Sequence, residues 1–345
     1  MKKVCVLGHF GFGLNLLNGQ TIKTKNVTIE LEKQFGDDEV VKIDTHGGIK
    51  NLPKCLIKLV SAFKHCKNII IFPAHNGVIV FGLLCPLLNK IFHKKIHYVV
   101  IGGWLPQYLD NKPLLEWQLK KFDGIYVETN KMGRELEKKN FENINIMPNF
   151  KNIIPIDKTQ ISTFVEKPYR FCTFSRVMKE KGIQDAIEAI IDINKKEERI
   201  VAVLDIYGQI EEGQKEWFEG LMDKCPQYIQ YKGMVESSKS VEVLKSYYVL
   251  LFPTRFFTEG IPGTIVDAYA AGIPVISSRW ESFSDVVDER ETGFGYEFGN
   301  VNELMKMIKY VLNQPDYIIK MKEKCLEKSF FFLPEKGIRN LLNRL

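Results

Sequence analysis

The sequence predicts an α/β protein of two doubly wound, Rossmann-like domains. Three observations carry this. Short apolar runs alternate with helical patterns along most of the 345 residues. Those runs are continuously apolar rather than alternating, as the strands of a parallel sheet buried on both faces must be. A polar break at Asn149–Pro168, holding Pro155 and Pro168, separates two such series of the same rhythm and reads as a linker.

In the first series the apolar runs are Lys3–Leu7, Val40–Ile43, Asn68–Phe72, His97–Ile101, Gly124–Val127 and Ile144–Met147. Helical patterns fill the gaps at Thr24–Phe35, Leu52–Cys66, Val78–Ile91, Pro113–Phe122 and Met132–Asn140. In the second series the strands are Phe171–Phe174, Val201–Tyr207, Ile229–Lys232, Val249–Phe252, Pro274–Ser277 and Gly295–Phe298. Its helices are Gln184–Asn194, Glu216–Lys224, Val241–Tyr247, Thr264–Ala271, Val301–Leu312 and Asp316–Ser329. A short amphipathic helix, Glu335–Arg344, closes the chain after Pro334 and is expected to return to the first domain. The expected domains are 1–160 with 335–345, and 168–330, facing a cleft. Ligands of such sheets bind beyond the carboxyl ends of the strands.

Composition narrows the class. At 45% hydrophobic and 26% charged the chain is ordinary globular material, neither disordered nor fibrous. The net charge of +6 is too small for a dedicated nucleic-acid binder. It is unevenly spread: residues 1–150 carry 21 Lys and Arg against 13 Asp and Glu, and residues 151–345 carry 27 against 29. A basic first half suits an anionic partner, either a phosphate-bearing substrate or an acidic membrane surface; a solvated lysine-rich face is the alternative. Seven cysteines, odd in number and without a CxxC, read as free thiols in a reducing compartment. The chain enters a strand at once, without the pattern of a signal peptide. The longest apolar stretch, Val78–Leu88, has 11 residues, so no transmembrane segment is expected.

The most informative stretch runs from Thr258 to Gly272. Glu259 precedes a helix expected to start with Pro262 at its first position, and Asp267 lies on its second turn. Gly272 reads as the left-handed cap. Exposed amides at residues 263–265, just past Pro262, then form an anion site between two acids, each able to accept from paired sugar hydroxyls. The alternative is an acid that merely complements the helix dipole, with Asp267 solvated. In Ser175-Arg-Val-Met-Lys-Glu-Lys-Gly182, Arg176 and Lys181 sit on a strand-to-helix loop, suited to a charge-dense leaving group. Neither an Asp-x-Asp motif nor a His/Cys cluster of metal spacing occurs.

These stretches resemble the retaining GT-B glycosyltransferases of family 4, the glycosyl transferases group 1. The family's paired acids and following helix read here as Glu259-Gly-Ile-Pro … Asp267 … Ala271-Gly-Ile-Pro-Val-Ile276, and its basic loop as Ser175–Gly182. Tyr207-Gly208 resembles a further donor loop, and Gly233-Met234-Val235 the segment that receives the nucleotide base. The resemblance implies that Arg176 and Lys181 hold the donor diphosphate. It implies that Glu259 accepts from donor-sugar hydroxyls, and that the backbone of Gly260, Ile261, Pro262, Gly263 and Thr264 touches sugar or phosphate. Asp267 stands where the family usually has Glu at the ribose, one methylene shorter.

The first half resembles the family more loosely. Gly8-His-Phe-Gly-Phe-Gly13 is GxxGxG, not the dinucleotide spacing. Gly19, in Asn18-Gly-Gln-Thr-Ile-Lys23, resembles the glycine that lets backbone amides approach the diphosphate. Lys23, with Lys25, either meets an acceptor phosphate or lies on a solvated helix face. His75 and Asn76 follow the third strand; His75 either lines the acceptor pocket or is structural. Gly102-Gly103-Trp104 follow the fourth, where many relatives carry a sugar-contacting His that is missing here, leaving a backbone contact. Trp104 is either a stacking wall or core.

The resemblance therefore implies a retaining, metal-independent hexosyltransferase without cofactor. It would move sugar from a UDP- or GDP-sugar to a glycan or lipid-linked hydroxyl in surface polysaccharide or glycoconjugate synthesis. The free cysteines and the basic first half, with Lys23, Lys25 and the run His93-Lys-Lys-Ile-His97 beside the apolar Val78–Phe92, give the further expectation of a cytoplasmic protein attached peripherally at the inner face of the membrane. The rival readings on this fold are a non-catalytic sugar- or nucleotide-binding protein and a phosphorylase or epimerase.

Overall fold

In a computed structural model, describing every residue except Asn15, Leu17 and Val165, the chain forms two compact units. One comprises Met1–Asn152 with Pro334–Leu345, the other Ile153–Leu333. The fold class is the predicted one, two parallel six-stranded sheets with covering helices.

The first unit holds β1 (Lys2–Gly8), β2 (Val40–Asp44), β3 (Cys66–Ile71), β4 (Lys95–Val99), β5 (Gly124–Val127) and β6 (Ile144–Ile146). Their order is β2-β1-β3-β4-β5-β6, all parallel. Cores form on both faces of this sheet. Leu59, Phe63, Val78, Phe81 and Leu119 pack on one, and Val27, Leu31, Ile338 and Leu341 on the other. Two-sided burial is why these strands read as unbroken apolar runs.

The second unit holds β7 (Tyr169–Phe174), β8 (Ala202–Tyr207), β9 (Ile229–Gly233), β10 (Val249–Phe252), β11 (Val275–Ser278) and β12 (Gly293–Tyr296). Here the order is β12-β11-β10-β7-β8-β9. The winding reverses between β7 and β10, the switch point at which open α/β sheets place their ligands.

Some boundaries differ from expectation. The first helix starts at Gly19 rather than Thr24, because Asn18 caps it by accepting from the Thr21 amide at 2.9 Å. β4 lies two residues ahead of its expected place. The Glu335–Arg344 segment is two short helices, Pro334–Gly337 and Arg339–Leu342. Residues 153–160, expected at the end of the first domain, and the rest of the expected linker to Pro168 belong to the second unit instead: the Ile156 amide donates to the Ala270 carbonyl at 2.9 Å and Lys158 pairs with Glu323. Val165, within that expected linker, lies outside the described residues. Among the described residues one helix, His75–Phe92, is long and apolar enough by length and composition to cross a bilayer. Its inward residues Val78, Phe81 and Cys85 are packed into the first unit's core.

Candidate active site

The loops that follow β7 and β10 come together because those strands are neighbours in the sheet. After β7 the chain runs through Ser175 and Arg176 to a tight turn at Lys179–Lys181, then Gly182 and the helix Ile183–Lys196. Gly182 has φ +67°, and a Cβ there would lie 1.9 Å from the Pro253 carbonyl oxygen of the β10 loop. Only glycine permits both the left-handed backbone and this approach. Gly208, after β8, plays the same part: at φ +137° its Cβ would lie 1.7 Å from the Ser175 carbonyl oxygen. Its amide donates to the Gly233 carbonyl at 2.9 Å, tying in the end of β9 where Met234 is exposed.

This close packing carries Lys181 onto Glu259. The Lys181 ammonium donates to Glu259 Oε1, with side chains 13% and 16% exposed. Thr254 Oγ1 donates to the same oxygen at 3.3 Å and accepts from the Phe256 amide at 3.2 Å. The rings of Phe252 and Phe256 stand 5.5 and 5.0 Å from the Lys181 nitrogen. Arg176 pairs with Glu211 at 2.8 Å and stays two-fifths exposed. Arg255 forms a two-pronged bond to the buried Asp185 at 2.7 and 2.9 Å, which steadies the β10 loop against the first helix of the unit.

The helix after Glu259 spans Gly263–Ala270. Pro262 is its cap, with extended ψ of 123°, and not its first residue as the sequence suggested. No side chain caps this amino end, and Thr264 Oγ1 is buried without a partner among the described residues. Such an end offers backbone N–H groups and partial positive charge to an anion. Gly272, at φ +66°, ends the helix as expected. Asp267 is buried, which overturns its reading as a solvated helix residue.

In the first unit, His75 and Trp104 stack on each other, with ring centroids 4.1 Å apart and 22° between planes. Tyr108 meets both rings edge-on, and its hydroxyl donates to the His75 carbonyl at 3.0 Å. Trp104 Nε1 donates to the Ile101 carbonyl at 2.8 Å. Asn76 is exposed beside this cluster, and Gly102 (φ +78°) and Gly103 lead into Trp104. Gly19 has open space where a Cβ would stand, so no neighbour within the fold demands glycine there.

Lys23 is a correction. It is neither solvated nor open to an acceptor phosphate: it is 2% exposed and its ammonium donates to Glu128 at 2.6 Å. Burial lowers its pKa, with the Glu128 carboxylate opposing. The helix turns this position inward, a direction that its place near a helix start did not reveal.

Sequence reasoning missed a second cluster, at the carboxyl ends of β1 and β2. His9 Nδ1 lies 2.7 Å from Thr21 Oγ1, and its Nε2 lies 3.2 Å from His46 Nδ1. Asp44 accepts from the amides of Phe10, Phe12 and His46. Burial pushes the Asp44 pKa up, but these amides outweigh it and the net shift is downward. Burial, then the neighbouring His46, lowers the His9 pKa. The signal in the sequence is the histidine of Gly8-His9, directly after the first strand.

Comparison with known proteins adds to this geometry. The model of a family described as glycosyl transferases group 1 matches residues 156–329. Over 182 residues the chain is 22% identical to the amylovoran biosynthesis glycosyltransferase AmsK of Erwinia amylovora, covering 51% of this chain and 42% of that one. Over 160 residues it is 28% identical to the UDP-N-acetylglucosamine–peptide N-acetylglucosaminyltransferase GtfA subunit of Streptococcus pneumoniae, covering 45% and 30%. The chain spans about a fifth to a half of the length of the curated relatives it matches. Among solved structures, sucrose-phosphate synthase from Thermosynechococcus elongatus superposes with a TM-score of 0.78 at 15% identity, over 100% of this chain and 98% of that one. Anabaena Alr3699/HepE in complex with UDP and glucose gives 0.76 at 14% identity over the whole of both chains.

Proposed function

The chain belongs to the glycosyl transferases group 1 family, and from that premise we propose that it transfers a sugar, with retention, from a nucleoside-diphosphate sugar to a hydroxyl of a glycan or lipid-linked acceptor. Its fold is GT-B. The observation that carries the proposal is the contact of Lys181 with Glu259 beside the uncapped Gly263–Ala270 helix. A nucleotide sugar joins an anionic diphosphate to a hydroxyl-rich ring. The site likewise joins a cation and free amides to a carboxylate that accepts from hydroxyls.

In this reading Arg176 and Lys181 meet the charge that develops on the departing diphosphate, so the reaction proceeds without a metal. Glu259 holds the sugar in position, and Asp267 and the Gly233–Val235 segment receive the nucleoside. Gly19 lets the backbone approach the donor. The stacked His75–Trp104 pair, with Asn76 and Gly102–Gly103, offers a face to sugar C–H groups in the first unit. The Anabaena neighbour holds UDP and glucose, which favours UDP among the bases to be tried first.

Incubation with a panel of labelled UDP- and GDP-sugars, with glycan and lipid-linked acceptors, tests the reading. Product with retained anomeric configuration, formed equally in excess EDTA, is expected. Nucleotide binding without turnover, sugar-phosphate formation from glycan and phosphate, or epimerised donor would each overturn it. Loss of turnover in EDTA, restored by Mn²⁺ or Mg²⁺, would overturn the metal-free step alone.

A further inference from the structure

From Thr45 to Leu109 the chain carries eight lysines and no Asp or Glu. Two helices of the first unit, Leu52–His65 and His75–Phe92, lie in that stretch, and Pro113–Leu119 packs beside the second. Gly82 allows that packing, since a Cβ there would come within 2.9 Å of Leu115 Cδ1. All three bury their inner sides in one core, through Leu59 and Phe63, Val78 and Phe81, and Leu115 and Leu119.

Their outer sides have an uncommon make-up. Leu52–His65 turns Lys54, Ile57, Lys58 and Lys64 outward, with Ile57 74% exposed. His75–Phe92 exposes Val80, Leu87 and Ile91, a helical i, i+7, i+11 stripe, with Ile91 72% exposed and Lys90 at its side. Pro113–Leu119 adds exposed Leu114 and Trp117, and the Lys121 ammonium lies 3.0 Å from the Trp117 ring centroid. Among the described residues, none of Lys54, Lys58, Lys64 and Lys90 has an acidic partner within 4 Å. Lysines elsewhere on this unit commonly do, as Lys131 and Lys138 do with Glu135.

We propose that this three-helix face docks on an anionic lipid bilayer. Charge complementarity decides the occupant. A soluble acidic protein would answer the lysines but not the large aliphatic and indole groups set among them. A bilayer answers both, headgroup phosphates taking the ammonium groups while Trp117, Leu87, Ile91 and Ile57 enter the interface. Because the inner side of His75–Phe92 is anchored to the sheet, that helix lies along the surface instead of crossing it. The face is distinct from the loops around Glu259, so the proposal stands independently of the assigned chemistry.

Vesicle co-sedimentation of the full chain tests it, with phosphatidylglycerol–phosphatidylcholine vesicles, pure phosphatidylcholine vesicles, and a salt series. Binding only to the anionic vesicles, weakened by salt, is expected. Lys54→Gln with Lys58→Gln and Lys64→Gln should lower affinity roughly 100-fold, at about fivefold per lysine. Leu87→Ser with Ile91→Ser should lower it with the salt slope retained, and unchanged melting would show both variants folded. Glu259→Ala should bind vesicles as the parent does, separating this proposal from the reading of the donor site. Equal recovery with neutral and anionic vesicles, or none with either, would overturn it. So would a concentration-dependent dimer abolished by Ile91→Ser without vesicle binding, which would give the face to a second copy.

Discussion

Glu259 and Lys181 are 78 positions apart in sequence, yet their side chains touch, so replacing either has a distinct consequence. Glu259→Ala removes the group assigned to the sugar and leaves the cations and helix amides. We expect kcat to fall roughly 100-fold or more, while calorimetric affinity for free nucleoside diphosphate changes little. Equal losses in both would place Glu259 on the nucleotide instead. Gly182→Ala is a different experiment, because it forces a Cβ toward the Pro253 carbonyl at a left-handed backbone position. It should cost about 2 kcal/mol or more in urea-induced unfolding of the second unit. A stability equal to the parent's would show that the two loops are not held together as described. The types of these residues were legible in sequence, since Ser175–Gly182 and Glu259–Asp267 are compact motifs. Their mutual contact was not, because it depends on β7 lying beside β10. Lys23 shows the converse: it lies a full turn inside a helix expected only from Thr24 and faces inward, since its partner Glu128 is 105 positions away.

Among the elements, β4 makes the clearest case for a pH response. His97 is fully buried in it, with Nδ1 3.1 Å from the Tyr126 hydroxyl and Nε2 without a partner among the described residues. Burial, with lesser effects of Lys95 and Arg344, lowers its pKa to about 4. The fold therefore prefers the neutral ring. Above the unfolded pKa of about 6.5 both states are neutral and stability is complete. As pH falls from there toward 4, the unfolded chain binds a proton that the folded one refuses, and stability drops. The loss on this account approaches about 3 kcal/mol. His97→Phe should flatten the dependence of unfolding free energy on pH across this interval. A slope as steep as the parent's would assign the response to other groups. The strand itself was visible as an apolar run from His97, but its start at Lys95 was hidden by the charge of Lys95. Burial of His97 follows from its neighbours β3 and β5, not from local sequence.

At the scale of the whole molecule, chain order and unit membership part company, because Pro334–Leu345 belongs with residues 1–152. The returning segment buries Ile338 and Leu341 against Val27, Leu31 and Phe150. It is also bonded at its edges: Asn340 Nδ2 donates to the Ile146 carbonyl at 2.6 Å, and Lys95 Nζ to the Arg344 carbonyl at 2.8 Å. Each unit has its own buried core, so calorimetry should resolve two contributions to unfolding. A nucleoside diphosphate at about 100 times its Kd should raise chiefly the contribution of Ile153–Leu333, which holds Arg176, Lys181 and Asp267, by about 2.7 kcal/mol. Removing residues 334–345 should do the reverse: the first unit loses stability, and the ligand-responsive transition keeps its midpoint and its shift. Two buried aliphatic side chains are at stake, and losing each to a cavity or to solvent costs about 2–5 kcal/mol. The truncated first unit is therefore expected to melt well below the second. If truncation instead lowered the ligand-responsive transition, the donor reading would have been placed on the wrong unit. If it moved neither, the contacts of Ile338 and Leu341 would contribute nothing to holding the first unit together.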